Sequence, residues 1–183
     1  MKISFEVCDA EPGTLSGPQV LVVPVSSDRR PLLCFGGRVD WELCGELSRL
    51  ISQEQFSGVQ GERLLRTTPS RMTTPFVFLF GVGRTDEFGA GQLVGTFRAI
   101  AGLLSDANVT KVAFSISDFS ALANVTTSEA ASALLAGWVA GWTHPEVVWW
   151  LAEGQSHASE VSLELGRIAE RYTDIELEAY QAE

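Results

Sequence analysis

The chain is short of several residue types, and each shortage removes a class of function. It has only two lysines, Lys2 and Lys111, and eleven scattered arginines against 23 acidic residues, for a formal net charge of −10. A surface that grips nucleic acid needs cations to displace phosphate counterions, so nucleic-acid binding is excluded, as is attraction to an anionic membrane. Its three cysteines, Cys8, Cys34 and Cys44, are odd in number and form no C-x-x-C pair, which gives neither a disulfide framework nor a zinc site. Two histidines, His144 and His157, stand far from any other cluster of ligand-type residues, so no metal and no cofactor is expected. The longest apolar stretches, Phe76–Val82 and Ala133–Trp142, fall far short of the ~20 residues a membrane helix needs. Glu6 and Asp9 interrupt the N-terminus before a signal-peptide core can form. The expectation is a soluble, cytoplasmic protein.

What is present suits one folded domain spanning residues 1–183: 45% of the chain is hydrophobic and 20% charged. Charge is uneven, with a net −1 over residues 1–100 and −9 over residues 101–183, ending in an acidic tail at 174–183 that is expected to fray. Strand-type and helix-type stretches alternate, which predicts an α/β protein. Strands are expected near 2–7, 19–25, 62–67, 76–82, 111–116 and 147–152, in one mixed sheet with helices on both faces. Val39, Leu43, Leu47, Leu50 and Ile51 share one helical stripe and predict a single helix there. A second helix is expected over 89–105, its glycines 89, 91, 95 and 102 suggesting close packing on the sheet. Thr126-x-x-Glu129 has capping-box spacing and opens a third. Val161, Leu165, Ile168 and Tyr172 mark a fourth.

Candidate functional residues cluster just beyond the predicted strands, where α/β proteins bind ligands. Gly36 and Gly37 open the helix that follows the second strand, and free N–H groups at such a start can hold an anion. Ser27, Asp28 and Asp40 lie nearby; Gly81 and Gly83 close the 76–82 strand; Ser117 and Asp118 follow the 111–116 strand. Aspartates at such places serve equally well as helix caps and turn formers. Neither glycine pair completes a P-loop or a G-x-G-x-x-G fingerprint. Asp40 or Asp118 as a catalytic base lacks any visible partner group.

The order of motifs carries a resemblance. Val39–Ile51, then Phe56-Ser-Gly-Val-Gln-Gly-Glu-Arg-Leu-Leu65, then Phe76-Val-Phe-Leu-Phe-Gly-Val-Gly83 resembles the N-terminal domain of the leucine (cytosol) aminopeptidase family. Val59 stands where that family's middle motif has a lysine. The resemblance implies a macro-domain-like three-layer sandwich. Val22–Ser27 with Gly36–Asp40 is similar to the first ligand loop of ADP-ribose-binding macro domains, and Val112–Ser117 to the strand before their phosphate-holding loop. That second loop, expected at Ser117–Asn124, has no glycine here, and Asp118 stands where phosphates would sit. The family's two-metal catalysis belongs to a separate C-terminal domain whose motifs are not found in this sequence. The resemblance therefore implies a non-catalytic module for protein contacts, assembly or regulation, with a homo-oligomer or a separately encoded aminopeptidase chain as partner. The alternative is a macro-type module that binds a nucleotide or another small anion.

Overall fold

Alternation of side chains sets the architecture. In β2 (Val20–Ser26), Val20 and Val22 face one way and Leu21, Val23 and Val25 the other, yet all are buried. In β4 (Phe76–Gly83), Phe78, Phe80 and Val82 split from Val77 and Leu79 in the same manner. Strands apolar on both faces need cover on both faces, and each such side chain contributes about 1.5–3 kcal/mol when fully buried. The computed structural model describes residues 1–9, 11–70, 72–153, 155–172 and 175–179. Beside β2 and β4 it contains β1 (Lys2–Cys8), β3 (Arg63–Thr67), β5 (Lys111–Phe114), β6 (Glu146–Ala152) and β7 (Glu176–Ala179). They form one sheet in the order β3-β4-β2-β5-β6-β1-β7, parallel throughout except for the antiparallel β3–β4 pair.

Helices α1 (Cys34–Glu42) and α2 (Glu46–Ser52) pack over one face through Phe35, Val39, Leu47 and Leu50. The other face carries α3 (Ala90–Asp106), α4 (Ile116–Ala123), α5 (Thr127–Gly141) and α6 (Gln155–Ala169). This is the macro-domain-like three-layer arrangement. No helix among the described residues is long and apolar enough to cross a membrane.

Four details depart from the expectations. The Val39–Ile51 stripe is two helices, because Cys44 and Gly45 take left-handed backbone (φ 53° and 75°) and turn the chain between them. The 111–116 strand stops at Phe114, because Ser115 caps α4, so Ser117–Asn124 is helix rather than loop. The acidic tail supplies β7 at 176–179, which pairs in parallel with β1 and carries the Lys2–Glu178 ion pair (2.9 Å); residues 174 and 180–183 lie outside the described residues. The glycines of α3 do not press on the sheet: a Cβ at Gly91 or Gly95 would meet nothing within 4 Å. Close approach belongs instead to α5, where a Cβ on Gly137 would meet the Val94 carbonyl at 2.5 Å. The tryptophans follow the same logic of enclosure. Trp138, Trp142, Trp149 and Trp150 are buried, Trp138 and Trp149 against Phe114 and Trp142 against Trp138, while Trp41 is 84% exposed.

Candidate functional site

β2 and β5 pair only through Val20–Val112 and Leu21–Ala113, after which β2 continues to Ser26 while β5 gives way to α4. A cleft opens there, beyond the C-terminal ends of the two strands, with α1 on one side and α4 on the other. Pro24, Pro31, Leu32, Leu33, Ala121 and Leu122 make it apolar; Ser26, Arg29, Cys34 and Asp118 supply its polar groups. As it stands the cavity is narrow, about 30 Å³, room for a water molecule or two. The Arg29 guanidinium reaches across to the Ala121 carbonyl (3.5 Å).

Helix α1 begins without a local cap: Leu33 precedes it in extended backbone, and no side chain there accepts from its first N–H groups. Asp118 does so from across the cleft. Its Oδ1 accepts from Phe35 N (3.1 Å) and its Oδ2 from Gly36 N (2.9 Å). Glycine is needed at 37, where a Cβ would meet the Leu32 carbonyl at 2.8 Å, and at 36 a Cβ would crowd Val23 Cγ1 at 3.0 Å. The same device recurs one step along the sheet. Glu153, fully buried just past β6, accepts from the N–H groups of Ile116 and Ser117 and from the Ser115 hydroxyl (3.3 Å), and so caps α4. Both helix starts at this end of the sheet therefore hold an anion, supplied by the chain itself.

Burial pushes the Asp118 carboxyl up to about 6, against the pull of the Gly36 and Phe35 N–H groups, and the Glu153 charge adds to the rise. Burial, with Asp118 beside it, also pushes the Cys34 thiol up, so at neutral pH Cys34 is a thiol rather than a thiolate.

Of the candidate residues, Gly36 and Asp118 line the cleft, with Gly37 in the same turn as Gly36 and Ser117 in the first turn of α4. The others lie apart. Asp28 accepts from the Thr85 N–H and hydroxyl (both 3.0 Å), which hold its carboxyl below the usual range. The Ser27 N–H donates to the Gly83 carbonyl (2.8 Å), and both residues border a separate hollow with Val59 and Gln60. Gly81 is glycine because a Cβ would collide with the Val59 carbonyl. Asp40 caps α2 through Leu47 N (2.8 Å) and Ser48 N (3.2 Å). The Phe56–Glu62 motif is architectural too: Phe56 is buried, and Glu62 binds the N–H groups of Ser57 (2.9 Å) and Gly58 (2.8 Å). Sequence reasoning missed Glu153 and Arg29. Only strand register could have found Glu153: Phe114 pairs with Leu151, which sets residue 153 level with the start of α4.

Residues 22–141 match the model of the cytosol aminopeptidase family, N-terminal domain. The chain belongs to that family. No curated protein sequence matches it at a significant level. Among solved structures, an Oceanobacillus iheyensis macrodomain with ADP is similar at 13% identity and a TM-score of 0.67, covering 91% of this chain and 92% of the other. A Trypanosoma brucei macrodomain in complex with ADP matches at 14% identity and a TM-score of 0.64, over 89% of this chain and 69% of the other. A mutant of tomato leucine aminopeptidase matches at 15% identity and a TM-score of 0.57; 91% of this chain covers 35% of that one. These likenesses establish the fold. The match is to the aminopeptidase N-terminal domain, and among the described residues no group of three or more His, Cys, Asp or Glu side chains is placed to hold a metal ion.

Proposed function

We propose that this family domain is a non-catalytic, macro-type binding module that takes a nucleotide or another small anion in the cleft between β2 and β5. One observation carries the reading: the first N–H groups of α1 converge on a single point beside the cleft, and an anion, the Asp118 carboxylate, already occupies it. The two macrodomains of the same fold that were solved with ADP support a nucleotide over a general role in protein contacts. The carboxylate makes the ligand compete for its seat. At an effective dielectric of about 20, two unit charges some 6 Å apart repel by roughly 3 kcal/mol, about a hundredfold in affinity. Entry also requires the Arg29–Ala121 contact to part, because the present cavity is smaller than any nucleotide.

Calorimetry with ADP-ribose at pH 7.5 tests this. The unmodified chain is expected to bind no tighter than millimolar, and Asp118→Gly at least tenfold tighter. Absence of binding by both proteins would remove the cleft as an anion site.

One feature favours a second reading, association with itself or with a separately encoded aminopeptidase chain: Trp41 is 84% exposed on α1. Isolated large apolar side chains on a surface are common, so this reading is the weaker one. Light scattering behind size exclusion, with Trp41→Ala for comparison, distinguishes monomer from oligomer.

A further inference from the structure

We propose that an anion enters this cleft together with a proton, which Asp118 takes up and then shares with the ligand. The inference rests on the cleft being the binding site.

Asp118 cannot retreat without cost, and no neighbour neutralises it. Its backbone N–H is tied to the Ser115 hydroxyl (3.2 Å) in the first turn of α4. The next residue, Phe119, is fully buried with its ring 4.6 Å from that of Phe97 on α3. Swinging the carboxylate to solvent would leave the Phe35 and Gly36 N–H groups without their acceptor. No lysine or arginine forms an ion pair with it among the described residues. The groups around it are Glu153 beyond β6, Arg29 on the segment leading from β2, and Cys34 and Arg38 on α1. Arg38 is engaged with Asp9 (3.9 Å) and the Ala152 carbonyl (3.5 Å), and Arg29 with the Ala121 carbonyl. Glu153 is spent on the start of α4.

A ligand anion therefore meets a fixed negative group that holds the same two donors it needs. Two such groups in a buried site cannot both stay ionised, and the resolution is one shared proton. The balance is simple. A carboxylate, a proton from solvent and the ligand anion become a carboxylic acid whose O–H donates to a ligand oxygen, with no bond broken. The proton is available at little cost, since burial already holds the free carboxyl at about 6. Neither histidine is among the residues lining the cleft, and Cys34 is pushed upward, so over pH 5–8 Asp118 is the group of the described lining that titrates.

The test is calorimetry of the full chain with ADP-ribose, whose diphosphate does not change charge over this range, at pH 5.5, 6.5 and 7.5. Running each pH in two buffers of different ionisation enthalpy measures the protons taken up. Affinity is expected to fall about tenfold between pH 6.5 and 7.5, with close to one proton bound per ligand at the higher pH. Asp118→Asn, an uncharged mimic of the protonated acid, is expected to bind at every pH about as tightly as the unmodified chain does at pH 5.5. Binding that is equal at all three pH values, or that takes up no proton, overturns the coupling and leaves the site standing. No binding by the unmodified chain, by Asp118→Asn or by Asp118→Gly at any pH overturns the site and the coupling with it.

Discussion

Asp118 and Gly36 lie 82 residues apart in the chain, and Oδ2 of the first accepts the N–H of the second at 2.9 Å. This bond joins the two halves of the cleft, because Gly36 belongs to the helix after β2 and Asp118 to the helix after β5. It also means that the first turn of α1 is finished by a residue from another layer, on the opposite face of the sheet.

Stability should depend on pH through that residue. The Asp118 carboxyl moves from 3.8 when unperturbed to about 6 in the folded chain, so the folded state binds the proton more tightly. The stabilisation, roughly 3 kcal/mol, is complete below pH 4 and is lost as pH rises through 6. Asp118→Asn lacks it. In urea melts at pH 4 and pH 7, the stability of the unmodified chain relative to Asp118→Asn should drop by about that amount at the higher pH. A constant difference would mean that the carboxyl is not displaced.

Glu153→Ala should destabilise by about 2–4 kcal/mol, because the Ile116 and Ser117 N–H groups would be buried with no acceptor. Glu153→Gln keeps a carbonyl and should cost less. It also removes a charge that raises Asp118, so the Asp118 titration, followed by carboxyl carbon NMR, should move to lower pH in Glu153→Gln.

Two glycine-to-alanine changes should act in opposite directions. Gly95→Ala places a methyl in open space inside α3 and should stabilise by about 0.5–1 kcal/mol. Gly81→Ala drives its methyl into the Val59 carbonyl and should cost about 1–3 kcal/mol or block folding. Thermal melts of the two variants, run side by side, check both signs.

The purified chain with added manganese or zinc should leave leucine p-nitroanilide uncleaved above the rate of the metal alone. Turnover that copurifies with the chain would overturn the non-catalytic reading.

Most of the sheet was legible in the sequence because its inner strands are apolar runs flanked by turn residues; six of the seven strands were expected, all but β7, where the alternation of Ile175, Leu177 and Ala179 with Glu176 and Glu178 is masked by the acidity of the tail. Gly36 and Asp118 were legible as neighbours of strand ends. What could not be read is direction. Asp118 was expected as an uncompensated charge where phosphate would sit, but the N–H groups that compensate it come from a helix 82 residues away. Asp40 has the same chemistry and lies only four residues beyond Gly36, yet it turns to cap α2. Such choices are made by packing between elements, which composition and spacing do not encode.

The contact between α3 and α5 has a mechanical consequence. At Gly137 and Gly141 the α5 backbone lies against the α3 backbone, with the Val94 and Arg98 carbonyls filling the space a side chain would need. Backbones meshed this closely offer no side chains to rearrange, so the pair cannot slide, and α4, pinned to α3 by Phe119 on Phe97, moves with them as one stiff plate. The wall carrying Arg29, Pro31 and Leu33 is braced by other means: the Arg30 guanidinium donates to the Ser26 and Ser57 carbonyls, and the Gly37 backbone lies against the Leu32 carbonyl.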